Sequence, residues 1–87
     1  MDKYEIVFHR KTEKELRKIP AQDRNKIFEK IQELSDNPYL FGHIKLSGND
    51  DLYRVRQGNY RIIYSIEDKQ LQIYIIKIGH RKDIYGQ

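Results

Sequence analysis

Apolar and polar residues alternate with two different periods along this chain, and the switch between them orders its elements. Tyr4 to His9 alternates with period two and reads as a short strand. Leu16 and Ile19 then lie three apart, a helical spacing, behind a Thr12/Glu15 pair at capping-box distance. A short, highly charged first helix is therefore expected to end before Pro20. Pro20 suits the first position of a second helix, whose apolar stripe is Ile27, Phe28, Ile31 and Leu34. Asp36-Asn37-Pro38 stops it. Core packing is the simplest account of the stripe, because a cofactor box would need polar ligands that it lacks.

Tyr39 to Asp51 has no period, and Gly42 with Ser47-Gly48-Asn49-Asp50-Asp51 marks it as loop. Period two then returns over Leu52 to Gln57, Tyr60 to Glu67 and Gln70 to Gly79, three strands of an antiparallel meander. Gly58-Asn59 favours a two-residue hairpin, which sets Gln57 opposite Tyr60, Arg56 opposite Arg61, Val55 opposite Ile62 and Tyr53 opposite Tyr64. A second two-residue turn at Asp68-Lys69 sets Ile66 against Leu71, Tyr64 against Ile73 and Ile62 against Ile75, extending one apolar face for the helices to cover. The other face then carries Arg54, Arg56, Arg61, Tyr74, Ile76, Ile78 and His80, an open patch of mixed character that reads as a binding site. A one-residue slip at the second turn would exchange the faces of the last strand. The expected fold class is α+β: an N-terminal strand, a two-helix hairpin and a three-stranded antiparallel meander, one sheet with the helices on one face. The pattern leaves the place of the first strand open.

Composition changes the picture in three ways. First, 87 residues make one small domain, residues 1–87, near the size at which stability is marginal. Second, the net charge is +4, with the basic excess in the second half and no acid between Leu52 and Ile66. Like charges directly opposite across two strands are destabilising, so three arginines gathered on one face point to a polyanion. Third, the chain has no cysteine, which excludes disulfides, thiolate metal sites and a thiol nucleophile. His9 and His43 lack spaced partners for a metal, and no cofactor is expected. No uncharged stretch approaches the roughly 18 residues needed to span a bilayer, so a cytoplasmic protein without a membrane partner is expected.

The ordered set formed by Leu46-Ser47-Gly48, Tyr53-Arg54-Val55-Arg56, Gly58-Asn59-Tyr60-Arg61-Ile62-Ile63-Tyr64 and Gly79-His80-Arg81-Lys82-Asp83-Ile84-Tyr85 resembles the RelE/ParE superfamily of toxins from toxin-antitoxin modules. The likeness spans nearly the whole chain. It implies a RelE-like α+β fold and a metal-independent endoribonuclease that enters the ribosomal A site and cuts the messenger RNA. It also implies a cognate RelB-like antitoxin, with a toxin–antitoxin heterotetramer among the compatible assemblies. In the RelE branch the cleavage residues fall on positions matching Arg54, Arg56, Arg61, Arg81 and Tyr85. The ParE branch instead poisons DNA gyrase and generally lacks this set.

Metal-free RNA cleavage by the 2′-OH needs a base, charge stabilisation of the phosphorane and an acid for the departing 5′-oxygen. Arginine stays protonated and serves only the second task. Arg61 and Arg81 are accordingly expected to stabilise the transition state, and Arg54, Arg56 and Lys82 to bind flanking phosphates. Arg54 and Arg56 stand where the best-known RelE pattern has lysines, and His80 replaces a basic residue before Arg81. Proton transfer is therefore expected from His80, whose imidazole can serve as base or acid, and from Tyr85, whose phenolate a cationic cluster favours. A gyrase-binding toxin without enzymatic activity and a generic single-stranded RNA binder remain as alternatives.

Overall fold

In the computed structural model, described here over residues 3–39, 44–45 and 52–80, the elements run β1 (Glu5–Phe8), α1 (Arg10–Arg17), α2 (Ala21–Asp36), β2 (Ile44–Lys45), β3 (Leu52–Gln57), β4 (Tyr60–Glu67) and β5 (Gln72–His80). The five strands form one sheet in the order β1-β5-β4-β3-β2. β1 pairs parallel to β5, and the other neighbours pair antiparallel. The open question of the first strand is thus resolved: β1 crosses over through both helices to lie beside the last strand. β2 was not expected within the loop, because two residues are too few to display a period.

α1 and α2 lie on one face of the sheet. Leu16 of α1, Ile19 in the turn that follows it, and Ile27, Ile31 and Leu34 from α2 bury against Val55, Ile62, Tyr64, Ile73, Ile75 and Ile78 of the strands. Burying a large aliphatic or aromatic side chain stabilises by about 1.5–3 kcal/mol, so this layer dominates the fold. Phe28 was expected within the stripe but is 40% exposed, its ring edge-on to that of Phe8 at 6.3 Å. None of the described helices is long and apolar enough to cross a membrane.

The capping-box expectation fails at α1 for a specific reason. His9 is the N-cap, its Nδ1 accepting from the Lys11 N–H at 3.3 Å. Thr12 instead turns inward, fully buried, and its hydroxyl donates to the Ile75 carbonyl at 3.0 Å. A threonine at cap spacing is equally able to satisfy a buried sheet carbonyl. Pro20 precedes α2 as its N-cap rather than opening it.

The first hairpin forms as its sequence predicts, with Gln57 facing Tyr60, Arg56 facing Arg61, Val55 facing Ile62 and Tyr53 facing Tyr64. Gly58 sits at φ 60, the left-handed value that a glycine-first hairpin turn requires. The second turn differs from its expectation. Glu67 faces Gln72, so Asp68 to Leu71 form a four-residue loop, and Ile66 faces Ile73 rather than Leu71. Leu71 is held at φ 53, its N–H donating to Asp68 O at 3.3 Å and its carbonyl accepting from Glu5 N–H at 2.7 Å. A displacement of two residues preserves the faces, so Ile73 and Ile75 remain in the core.

A second irregularity does change the faces. Tyr64 pairs with Ile75 but Ile63 pairs with Lys77, leaving Ile76 as an extra residue. This β-bulge turns Ile78 into the core, where it is 1% exposed, and sets His80 opposite Tyr60. The expectation that Ile78 and His80 share the arginine face is therefore corrected. Both lie on the side of the helices, while Ile76 stays where it was expected.

Candidate functional site

Alternation along β3 and β4 carries the site. Val55 and Ile62 point into the core, so Arg54, Arg56 and Arg61 point to the sheet face away from the helices. Arg56 and Arg61 are directly paired, with Gly79 on the far side of Arg61. The adjoining row is Arg54, Ile63 and Lys77. Arg56 is exposed and Arg54 half-buried, but Arg61 is only 2% exposed. An open patch was expected, and at its centre the structure differs. Arg61 is engaged within the protein, and among the described residues no buried side-chain nitrogen or oxygen lacks a hydrogen-bond partner.

The bulge that shapes the far edge of this face is braced from α1. β1 ends opposite Ile75, leaving the next residues of β5 along an edge. Thr12 donates to the Ile75 carbonyl, as does the His9 N–H at 3.0 Å, while the Glu15 carboxylate accepts from the Ile78 N–H at 3.3 Å. Helix side chains thus take up backbone groups on both sides of the extra residue. With the bulge in place, Gly79 rather than a bulky isoleucine stands beside Arg61.

Of the expected site residues, Arg54, Arg56 and Arg61 come together. His80 does not join them. Its ring meets Tyr60 edge-on at 5.6 Å, and it borders two clefts, one between Glu15, Lys18 and Ile19 and the β5 edge from Lys77 to His80, the other with Asp23 and Lys26. Arg81, Lys82 and Tyr85 lie outside the described residues. Lys77 is the residue that sequence reasoning missed: uninterrupted alternation would put it in the core. The signal was the run Ile75-Ile76-Lys77-Ile78, where strict period two breaks.

The opposite end of the sheet holds a second polar cluster. Tyr4 and Tyr39 donate to the two oxygens of Asp68 at 2.6 and 2.8 Å. These bonds hold the Asp68 carboxyl below its usual range and raise both phenols, Tyr39 to about 12. Tyr53 stacks on Tyr64 and meets Tyr39 edge-on. The buried Tyr64 hydroxyl donates to the Pro38 carbonyl at 2.9 Å, and burial pushes that phenol up.

Comparison with known proteins gives this arrangement a lineage. Residues 6–85 match the family model described as the ParE toxin of the type II toxin-antitoxin system parDE. The chain belongs to the RelE/ParE superfamily of toxins. It is 27% identical to the mRNA interferase toxin RelE of Escherichia coli over 88 residues, covering 97% of this chain and 92% of that protein. Its fold is similar to that of RelE in the archaeal RelE–RelB complex from Pyrococcus horikoshii, with a TM-score of 0.78 and 34% identity over 91% of this chain and 96% of that one. The isolated E. coli RelE toxin superposes with a TM-score of 0.79 at 26% identity, covering 88% of this chain and 83% of that one. The RelE/ParE resemblance of the sequence is thereby borne out, as is the α+β fold with its helices on one face.

Proposed function

We propose that this protein is the toxin of a RelBE-type module and that it cuts messenger RNA in the ribosomal A site. The observation that carries the reading is the register that sets Arg54, Arg56 and Arg61 on one sheet face, with Arg61 buried and engaged. The similarity to a protein named mRNA interferase RelE supports it.

In this mechanism the 2′-oxygen attacks its own phosphate, forming a 2′,3′-cyclic phosphate as the bond to the 5′-oxygen breaks. Arg61 and Arg81 stabilise the pentacoordinate phosphorane through paired hydrogen bonds to its oxygens. Arg54, Arg56 and Lys82 hold flanking phosphates. Tyr85 assists proton transfer at the 2′-hydroxyl. His80 has no place in this set, since it lies across the sheet. The chemistry requires no metal, because guanidinium groups provide the charge. The ribosome imposes the in-line geometry that a small cationic face cannot, so free RNA is a poor substrate. The toxin acts in the cytoplasm and is held inactive by an acidic, RelB-like antitoxin that covers the arginine face. The half-buried Ile76, not Ile78, offers that partner an apolar contact.

The ParE name of the matching family model favours one alternative, a gyrase poison. Inducible expression with mapping of message ends separates the two. Breaks at fixed positions within translated codons, absent when translation is blocked, are expected. Intact messages with damaged DNA would overturn the ribonuclease reading, and vigorous cutting of naked RNA would overturn its dependence on the ribosome.

A further inference from the structure

RNA cleavage by this face needs an acid for the departing 5′-oxygen, and the described arginines do not provide one. A guanidinium keeps its proton, and His80 is on the other side of the sheet. The bulge brings a different group to the face. Lys77 is the register partner of Ile63, which in turn partners Arg54. Ile62 and Ile78, the neighbours in sequence of Ile63 and Lys77, both point into the core. Alternation therefore directs Lys77 to the same side as Arg54 and Arg61.

The next residue of β5 on that side is Gly79, opposite Arg61. No β5 side chain consequently stands between Lys77 and the row of Arg56 and Arg61. Lys77 and Arg61 are diagonal neighbours, with α-carbons about 7–8 Å apart in such an arrangement. Lys77 is half-buried and makes no ion pair with the described residues. A lysine ammonium carries three donor hydrogens and, unlike arginine, can give one up.

We propose that Lys77 is a catalytic residue, the general acid that protonates the leaving 5′-oxygen. This rests on the ribonuclease reading above. As the 2′-oxygen bonds to phosphorus and the phosphorus–5′-oxygen bond breaks, one proton passes from Lys77 Nζ to the 5′-oxygen. The products are a 2′,3′-cyclic phosphate, a free 5′-hydroxyl and a neutral amine, which solvent reprotonates.

Single-turnover cleavage on programmed ribosomes tests the assignment with two messages. One is natural; the other carries sulfur in place of the bridging 5′-oxygen at the scissile linkage, and its thiolate leaves without a proton. Lys77→Arg keeps the charge but loses the transferable proton, so it is expected to cut the natural message about 100-fold more slowly than the parent protein. On the sulfur-bridged message it is expected to match the parent. Lys77→Met, which also lacks the charge, is expected to be slow on both messages, and melting curves confirm that both variants are folded. Equal cleavage of the natural message by Lys77→Arg and the parent would overturn the proposal, as would an equal loss on both messages. If the parent protein cuts neither message, the ribonuclease reading itself falls, a result distinct from either of these.

Discussion

The two ends of the sheet treat charge in opposite ways. At the end where β4 turns into β5, the Asp68 carboxylate receives two phenols and the Tyr64 hydroxyl meets a carbonyl. Those bonds join the start of β1, the segment after α2 and the β4–β5 loop. At the hairpin end, Arg56 faces Arg61 across the strands, and no acid lies between Leu52 and Ile66. The tyrosine end satisfies its polar groups from within the chain. The arginine end accumulates one sign of charge against the cost of like-charge pairing, as a surface built for a polyanion does.

That contrast can be broken at several points. The largest expected effect is on the core beneath the arginine end. Ile78→Ala should cost about 2–5 kcal/mol in urea unfolding, whereas Ile76→Ala, on the other side of the bulge, should cost much less. The reverse order would mean that β5 runs without its extra residue. Next is Arg61→Ala, expected to slow cleavage roughly 100-fold by analogy with loss of one oxyanion donor, about 2.7 kcal/mol of barrier. Arg61→Lys, which keeps the charge without the planar fork, should fall between that variant and the parent. Full toxicity of a folded Arg61→Ala protein would remove this residue from the mechanism.

Smaller effects are expected at the tyrosine end. Tyr64→Phe loses the bond to Pro38 and should destabilise by about 1 kcal/mol, lowering the melting temperature by about 4–8 °C with cleavage unchanged. The least is a pH effect. The Asp68 carboxyl is held below its ordinary range by Tyr4 and Tyr39, so its contribution is complete above the unfolded value of about 3.9 and fades as pH falls through the lower folded value. Tyr39 is raised from 10.0 to about 12 by its bond to Asp68, so that contribution is complete below 10.0 and is lost as pH rises through about 12. Asp68→Asn should flatten both limbs of a plot of melting temperature against pH. Unchanged limbs would show that the cluster contributes nothing to folding.

The hairpin was legible because its turn is two residues long and glycine-led, which locks every partner from Tyr53 to Tyr64. The α2 stripe was legible because sixteen residues display a helical period clearly. Other features had no local signature. A threonine at cap spacing became a buried donor because a sheet carbonyl lay within reach, and that carbonyl belongs to a strand sixty-three residues away. A four-residue loop replaced the expected two-residue turn because contacts from β1 and Asp68 hold Leu71 in a left-handed conformation that its side chain disfavours.

By itself the sequence determined the order of the elements other than β2, the pairing of β3 with β4, and three arginines on one face, since period and turn chemistry are local properties. Only the tertiary structure decided where β1 lies, that β5 carries an extra residue, and hence that Lys77 rather than His80 stands beside the arginines. The physical reason is that a bulge relays every later side chain to the other face, and this one is braced by Thr12 and Glu15 from a helix remote in the chain.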